Sequence, residues 1–428
     1  MNKLKSLILF IIVIAFTSCS VSKTNQTLDQ NLNQLLEQKD YFRLSEQLQI
    51  NKEKISKDRF LYYKAFVDNA FGENTQSIAQ VEVLLETYKT NFNDSIAEKI
   101  LALKADNYIH THQYKQASVI YGDILNQFSK DLDSADIADY KNMKSLFETL
   151  GTIAPQVMQE HQTVKIASYR NQFNHLMAPI KVNEIAEDFI FDTGANLSTI
   201  SESQAKKMNL KLFEQNIDVG SSTGINVASK LAVADSLYFG PILFKNVVFI
   251  VMPDEKLSFP EIDYYIHGII GFPVIHQLEE IHLNKDGSIV VPEKPTTSNL
   301  KNMFLEGLTP VIKTTSGKDT LLFTFDTGAS QSELSYKYYK EHKDFIDKNG
   351  ELKTNQRAGA GGKTSVEEYV LNDFSMKIGQ HPFQLSRIPV ALEDYDFNKY
   401  FDGNLGQDVF IQFNSLIINF KYMYVDFE

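Results

Sequence analysis

The stretch Phe191-Asp192-Thr193-Gly194-Ala195 occurs again, unaltered, at Phe325-Asp326-Thr327-Gly328-Ala329. Each copy follows a short apolar run that reads as a buried strand, Phe189-Ile190 before the first and Leu321-Leu322-Phe323 before the second. A single Asp-Thr-Gly is a turn signal, with the Asp capping its own backbone. Two copies in matching surroundings say more, because two carboxylates on equivalent loops of related lobes can be brought face to face.

The match extends outward from those loops. Asp192 lies 134 positions before Asp326. Ile269-Ile270-Gly271 ends 79 positions after Asp192, and Asn404-Leu405-Gly406 ends 80 after Asp326. Beyond the glycines Val274 matches Val409, Gln277 matches Gln412 and Asn284 matches Asn419 without a gap. This is a duplicated domain. From about residue 160 onward, short alternating or apolar runs separated by turn residues predict a β-rich region. The Pro- and Ser/Thr-bearing segment from Pro292 to Asn299 suits a linker. One lobe is therefore expected over 160–293 and the other over 300–428.

Each half runs strand, Asp-Thr-Gly-Ala, strand, Gly-rich hairpin, then apolar-apolar-Gly. That order resembles the aspartic proteases of the retropepsin and pepsin type, and the resemblance covers both halves, from about residue 165 to the C-terminus, and none of the helical region. It implies an all-β, two-lobed fold in which Asp192 and Asp326 are the catalytic pair. Thr193 and Thr327 would lock the loops across the lobe junction, and Gly194 and Gly328 would sit where the backbone approaches the carboxylates. The physics of the residue types agrees. Two carboxyls sharing a site cannot both ionise, so the pair holds one proton and titrates as a unit. The unprotonated member can then draw a proton from water while the other donates to a peptide carbonyl. Assigning base to one Asp and acid to the other would be arbitrary. Ala195 and Ala329 follow the glycines as in retropepsins, which by resemblance suggests activity closer to neutral pH than in digestive pepsins.

Gly220-Ser221-Ser222-Thr223-Gly224 and Gly359-Ala360-Gly361-Gly362-Lys363 lie some 30 positions beyond their Asp residues. In this fold class a hairpin flap closes over substrate there, and Gly220, Gly224, Gly359, Gly361 and Gly362 would supply mobility and close approach. Neither segment carries the aromatic tip of a pepsin flap, so which of them closes is open. Ser198 and Ser332, six residues beyond each Asp, are candidates to support the pair. Gly361-Gly362-Lys363-Thr364 looks like the end of a phosphate loop, but Arg357 stands where that motif needs Gly. His267, His276 and His282 match no zinc spacing, and no metal or cofactor is expected. Tyr336, Tyr338 and Tyr339 read as packing on a short helix.

Residues 24–155 have helical periodicity and only three glycines, Gly72, Gly122 and Gly151. Ala105, Tyr108, Ala117 and Tyr121 fall where a tetratricopeptide-type helix pair places its packing residues, with Gln113 in the turn; Ala65 gives a weaker second match. This region is either a docking surface for a protein partner, a spacer from the membrane, or a helical bundle with no binding role. Before it, Lys3 and Lys5 precede an apolar stretch from Leu7 to Phe16, too short to span a bilayer, that reads as a secretory signal over 1–18. Cys19 is the only cysteine, so no intramolecular disulfide is possible. Its setting resembles a bacterial lipobox, implying a lipidated Cys19 with a tether over 19–23 and an outer-membrane lipoprotein of the cell envelope. The alternative is an ordinary signal peptide with an incidental Cys, and Phe16 is an unusual residue for a lipobox.

With 428 residues, 43% hydrophobic and 22% charged, the composition is that of an ordinary globular chain. The net charge of −12 argues against a nucleic-acid partner. The expectation is an α+β multidomain chain: a tetratricopeptide-like helical region followed by a retropepsin- or pepsin-like aspartic endopeptidase acting on peptide or protein substrates. Its rivals are a protease-like fold that grips a peptide without cutting it, and a helical docking protein with the lobes as scaffold.

Overall fold

The computed structural model describes residues 23–220, 226–394 and 399–428. The signal segment, Cys19 and the tether up to residue 22, together with Gly224, lie outside the described residues.

The N-terminal part is helical: α1 (Gln26–Glu37), α2 (Tyr41–Ile50), α3 (Lys57–Ala70), α4 (Asn74–Thr87), α5 (Asp94–His110), α6 (Tyr114–Phe128) and α7 (Ser134–Leu150). The first six helices form three hairpins with one recurring stop. Lys39, Gly72 and His112 take positive φ of 56°, 78° and 55°. The amide after each donates to a carbonyl five residues back: Asp40 to Leu35 at 3.0 Å, Glu73 to Asp68 at 2.7 Å, Gln113 to Tyr108 at 2.7 Å. These are Schellman closures, which end a helix and turn the chain back on itself. Ala65, Ala105 and Ala117 are fully buried, so the paired helices approach closely; Tyr121 is buried and Tyr108 partly so.

The helices are built into both lobes. Leu32, Tyr62 and Ile100 share one apolar core with Phe304, Val311 and Leu322 of the second lobe. Ile109, Tyr121 and Phe147 share another with Ile217, Leu231 and Ile250 of the first. Polar ties reinforce the seat: the Tyr41 hydroxyl donates to Glu306 at 2.9 Å, and His110 Nε2 donates to the Gly307 carbonyl at 2.7 Å. At the join between the two halves of the array, Leu84, Leu85, Phe92, Ile100, Leu101 and Phe128 border a cavity of about 210 Å³.

The rest is β-rich, with a 9-stranded and an 8-stranded sheet. In each, the strand entering the Asp loop pairs in parallel with the strand that leads to the supporting glycine, Gly271 or Gly406. The registers correspond: Ile190 faces Ile269 and Phe191 faces Ile270 in the first, Thr324 faces Asn404 and Phe325 faces Leu405 in the second. That strand also pairs antiparallel with the one leaving the loop, Ile269 with Thr199 and Asn404 with Glu333. A separate 5-stranded sheet joins the halves. At its centre Glu280–Asn284 runs antiparallel to Ser415–Asn419. The linker is stapled to this sheet: the Thr296 amide and hydroxyl donate to the buried Glu280 carboxylate at 2.5 and 3.1 Å. Among the described residues no helix is long and apolar enough to cross a membrane.

Candidate active site

Both Asp loops are made by the same device. The Asp192 amide donates to the Ile270 carbonyl and the Asp326 amide to the Leu405 carbonyl, each at 3.0 Å, so each loop hangs on the strand behind it. Ser198 and Ser332 secure that strand, their hydroxyl oxygens accepting from the Gly271 amide at 3.1 Å and the Gly406 amide at 2.9 Å. A Cβ on Gly271 would lie 2.6 Å from the Leu197 backbone, and one on Gly406 2.8 Å from the Gln331 backbone. Both supporting glycines are therefore required by close packing.

The two loops interlock through their threonines. The Thr193 amide donates to Thr327 Oγ1 and the Thr327 amide to Thr193 Oγ1, both at 3.0 Å. Each hydroxyl passes its own proton onward, Thr193 to the Phe325 carbonyl at 2.8 Å and Thr327 to the Phe191 carbonyl at 2.9 Å. Both side chains are fully buried. Four bonds thus form a closed two-fold set across the junction, with every donor satisfied. A buried amide left unpaired would cost about 1–3 kcal/mol.

That lock places Asp192 and Asp326 together. A Cβ on Gly194 would fall 2.6 Å from Asp326 Cγ, and one on Gly328 2.3 Å from Asp192 Cγ, so each glycine leaves room for the opposite carboxyl. The Gly194 and Gly328 amides donate to their own loop's Asp Oδ1 at 2.8 Å, and the Ala329 amide adds a bond to Asp326 at 3.0 Å. Burial pushes the Asp192 carboxyl well above the ordinary carboxylate range, and the charge of Asp326 and a hydrogen bond shared with it push it further; the Gly194 and Ala195 amides oppose this. Such a pair favours the singly protonated state.

The two hairpins differ. In the first lobe Lys211–Gly220 pairs with Asn226–Phe239, ending in the match of Gly220 with Asn226. Its flank is held by α7: Asn142 Nδ2 donates to the Asp218 carbonyl at 3.2 Å, and the Thr149 hydroxyl to Gln215 at 2.6 Å. In the second lobe Glu351–Gly359 pairs with Gly362–Ile378, closing Gly359 against Gly362 around Ala360 and Gly361. Gly361 and Gly362 have φ of 105° and 121°, which glycine alone adopts readily. This tip reaches the other lobe. The Gly361 amide donates to the Lys256 carbonyl at 3.0 Å, Lys363 pairs with Glu261, and its ammonium lies 5.5 Å from the Phe259 ring centre.

Other residues around the pair carried no sequence signal. His175 Nδ1 meets the Tyr264 hydroxyl at 2.6 Å, and Phe173 packs on that ring at 4.5 Å. Burial lowers the His175 pKa while the charge of Asp326 pulls it back up, so the imidazole lies within reach of the pair's field. From the same segment Arg170 reaches over to Gln407 of the second lobe. Glu333 pairs with Arg357 at 2.6 Å. Of the residues set aside, His276 packs against Phe272 and Phe420, His282 pairs with Glu280, and Tyr338 is buried on the helix Tyr336–Glu341.

No curated protein matches the chain. An aspartyl protease family model matches residues 178–274, a span that holds the first Asp loop, the first-lobe hairpin and the strand that supports them.

Proposed function

We propose that the chain is an aspartic endopeptidase in which one water molecule, held between Asp192 and Asp326, attacks a peptide carbonyl. The observation that carries this reading is the reciprocal threonine lock, which spends four buried hydrogen bonds on setting two carboxyls against each other. The unprotonated carboxylate takes a proton from water as its oxygen bonds to the carbonyl carbon. The protonated partner donates to the carbonyl oxygen, and the tetrahedral intermediate collapses as the amine leaves with a proton. Amides fixed on the carboxylates keep them in place through both steps, and no covalent intermediate on the chain is needed. The match to an aspartyl protease family model supports the same reading for the first lobe, and the internal repeat extends it to the second.

The full chain should cleave peptides from an undirected mixture, and a statine-type mimic of the tetrahedral intermediate should stop it. Asp192→Asn and Asp326→Asn should each abolish cleavage with the fold intact by circular dichroism. Cleavage that persists in both variants would refute the pair. Anchoring through a lipid on Cys19 is a separate part of the proposal, and mass spectrometry of the mature N-terminus tests it.

A further inference from the structure

Beside the pair, the duplicated sheets present the same three positions with different chemistry. Two residues before each Asp stand Ile190 and Thr324; two before each supporting glycine, Ile269 and Asn404; seven after each Asp, Thr199 and Glu333. Ladder registers set each trio side by side, Ile190–Ile269–Thr199 in one lobe and Thr324–Asn404–Glu333 in the other. Neighbours across a ladder share a face, and residues two apart on a strand do too. Each row therefore starts beside its Asp and runs outward along one wall. Leu334, next to Glu333, faces the opposite way into the core.

The first row is aliphatic at two of its three positions, with Thr199 at the third. Ile190 and Ile269 are 4% and 5% exposed and lie in one apolar cluster with Val227 and Leu231 of the hairpin above them. The second row is polar. The Thr324 hydroxyl donates to Asn404 at 2.7 Å, and Glu333 holds Arg357 of the second-lobe hairpin at 2.6 Å. Glu368, on the returning strand, shares that guanidinium at 3.4 Å and accepts from Asn355 at 2.7 Å. Two carboxylates thus meet one guanidinium, all three mostly buried. Enclosing charges costs several kcal/mol unless they are well paired. The first lobe fills the position of Glu333 with the uncharged Thr199, so the sheet itself does not require a charge there.

We propose that the Glu333–Arg357–Glu368 set is a recognition site for a basic side chain of the substrate, and that the row at Ile190 and Ile269 takes an apolar one on the other side of the cleaved bond. A lysine or arginine adds the cation that two carboxylates around one guanidinium lack. An acidic side chain would add a third carboxylate to a single guanidinium and is disfavoured. This assignment rests on the endopeptidase reading and names its substrate class: peptides with an apolar and a basic residue flanking the cleaved bond.

The test uses the full chain and a matched pair of fluorogenic peptides that differ only in lysine or norleucine at the basic position, chosen from sites cut in an undirected decapeptide mixture. Lysine should be preferred about tenfold in kcat/KM, the scale of one well-placed ionic contact. Glu333→Gln and Glu368→Gln, which keep size and hydrogen-bonding capacity, should each reduce that ratio several-fold, the loss falling mainly on the lysine peptide. A wild-type ratio near one, a preference for glutamate, or a ratio unmoved in both variants overturns the assignment while the endopeptidase reading stands. Absence of any cleavage by the wild-type chain overturns both. Loss of both activities in one variant leaves the decision to the other variant and the wild-type ratio.

Discussion

The two Asp loops are close copies of each other, whereas the two hairpins beside them have parted ways. Both loops use the same amide-to-carbonyl hook, the same serine support and the same half of the threonine lock. One hairpin is bound along its flank to α7; the other extends its tip to the opposite lobe. The difference separates two demands on a duplicated lobe. Chemistry shared across a two-fold junction needs both halves alike, since each threonine is bonded by its counterpart. Control of the cleft needs no such symmetry, and there the copies are free to diverge.

The symmetrical part should break with the largest effects. Asp192→Asn and Asp326→Asn should lower kcat by at least about 10³-fold, and by comparable amounts, because groups that act as a unit fail as one. A large loss confined to one of them would end the two-fold account. Next come Gly194→Ala and Gly328→Ala, whose added Cβ would press on the opposite carboxyl at 2.6 and 2.3 Å. Moving that carboxyl by about 1 Å should cost roughly 10²-fold in kcat. Thr193→Ala and Thr327→Ala should each destabilise the protein by about 1–3 kcal/mol, read by chemical denaturation, with Thr→Ser nearly neutral at either position.

The pair also sets a pH dependence. Asp192 has its pKa raised in the folded state, mainly by burial and by the charge of Asp326. The stability this group contributes is therefore complete below its unfolded pKa and is lost as pH rises through the folded value. Asp192→Asn should raise the melting temperature at pH 7 and have little effect at pH 3. The same raised pKa keeps the shared proton to higher pH than a free carboxyl would; a pH–rate profile with no activity above about pH 5 would refute this.

The asymmetrical part should respond more gently. Lys363→Glu and Glu261→Lys should each lower kcat/KM by up to about fivefold, the range of one exposed ion pair, and the double reversal should recover it. Failure to recover would show that the tip is not held there in solution. Gln215→Ala, at the contact of the other hairpin with α7, should change kcat/KM by less than twofold.

How far the sequence reveals this arrangement follows the same division. The Asp loops, their glycines and the supporting strands are legible because each requirement is local: a turn, a close approach, an apolar run at a fixed offset. The threonine lock was readable only by resemblance, since its partners are 134 positions apart. Tip contacts such as Lys363 with Glu261 join residues 102 apart, and single surface charges carry no pattern that would pair them. Glu333, Arg357 and Glu368 look equally unremarkable in a line of text; only the ladder that sets Glu333 against Asn404 gives them a place. The helical region shows the opposite limit. Periodicity marks which faces are buried, but two of the three stops, at Lys39 and His112, carry no glycine to announce them, and nothing in a helix names the surface it will cover.

That covering has a mechanical consequence. The array is fastened to the second lobe through Phe304 and to the first through Ile217, so it spans the junction like a brace. Any widening of the angle between the lobes must stretch the array or bend it. A cleft of about 210 Å³ between Leu84 and Leu101, partly open to solvent, lies at the join between the two fastened halves. The helical region thereby lies in parallel with the junction between the lobes, and opening of the cleft would have to be shared by helices that touch neither Asp.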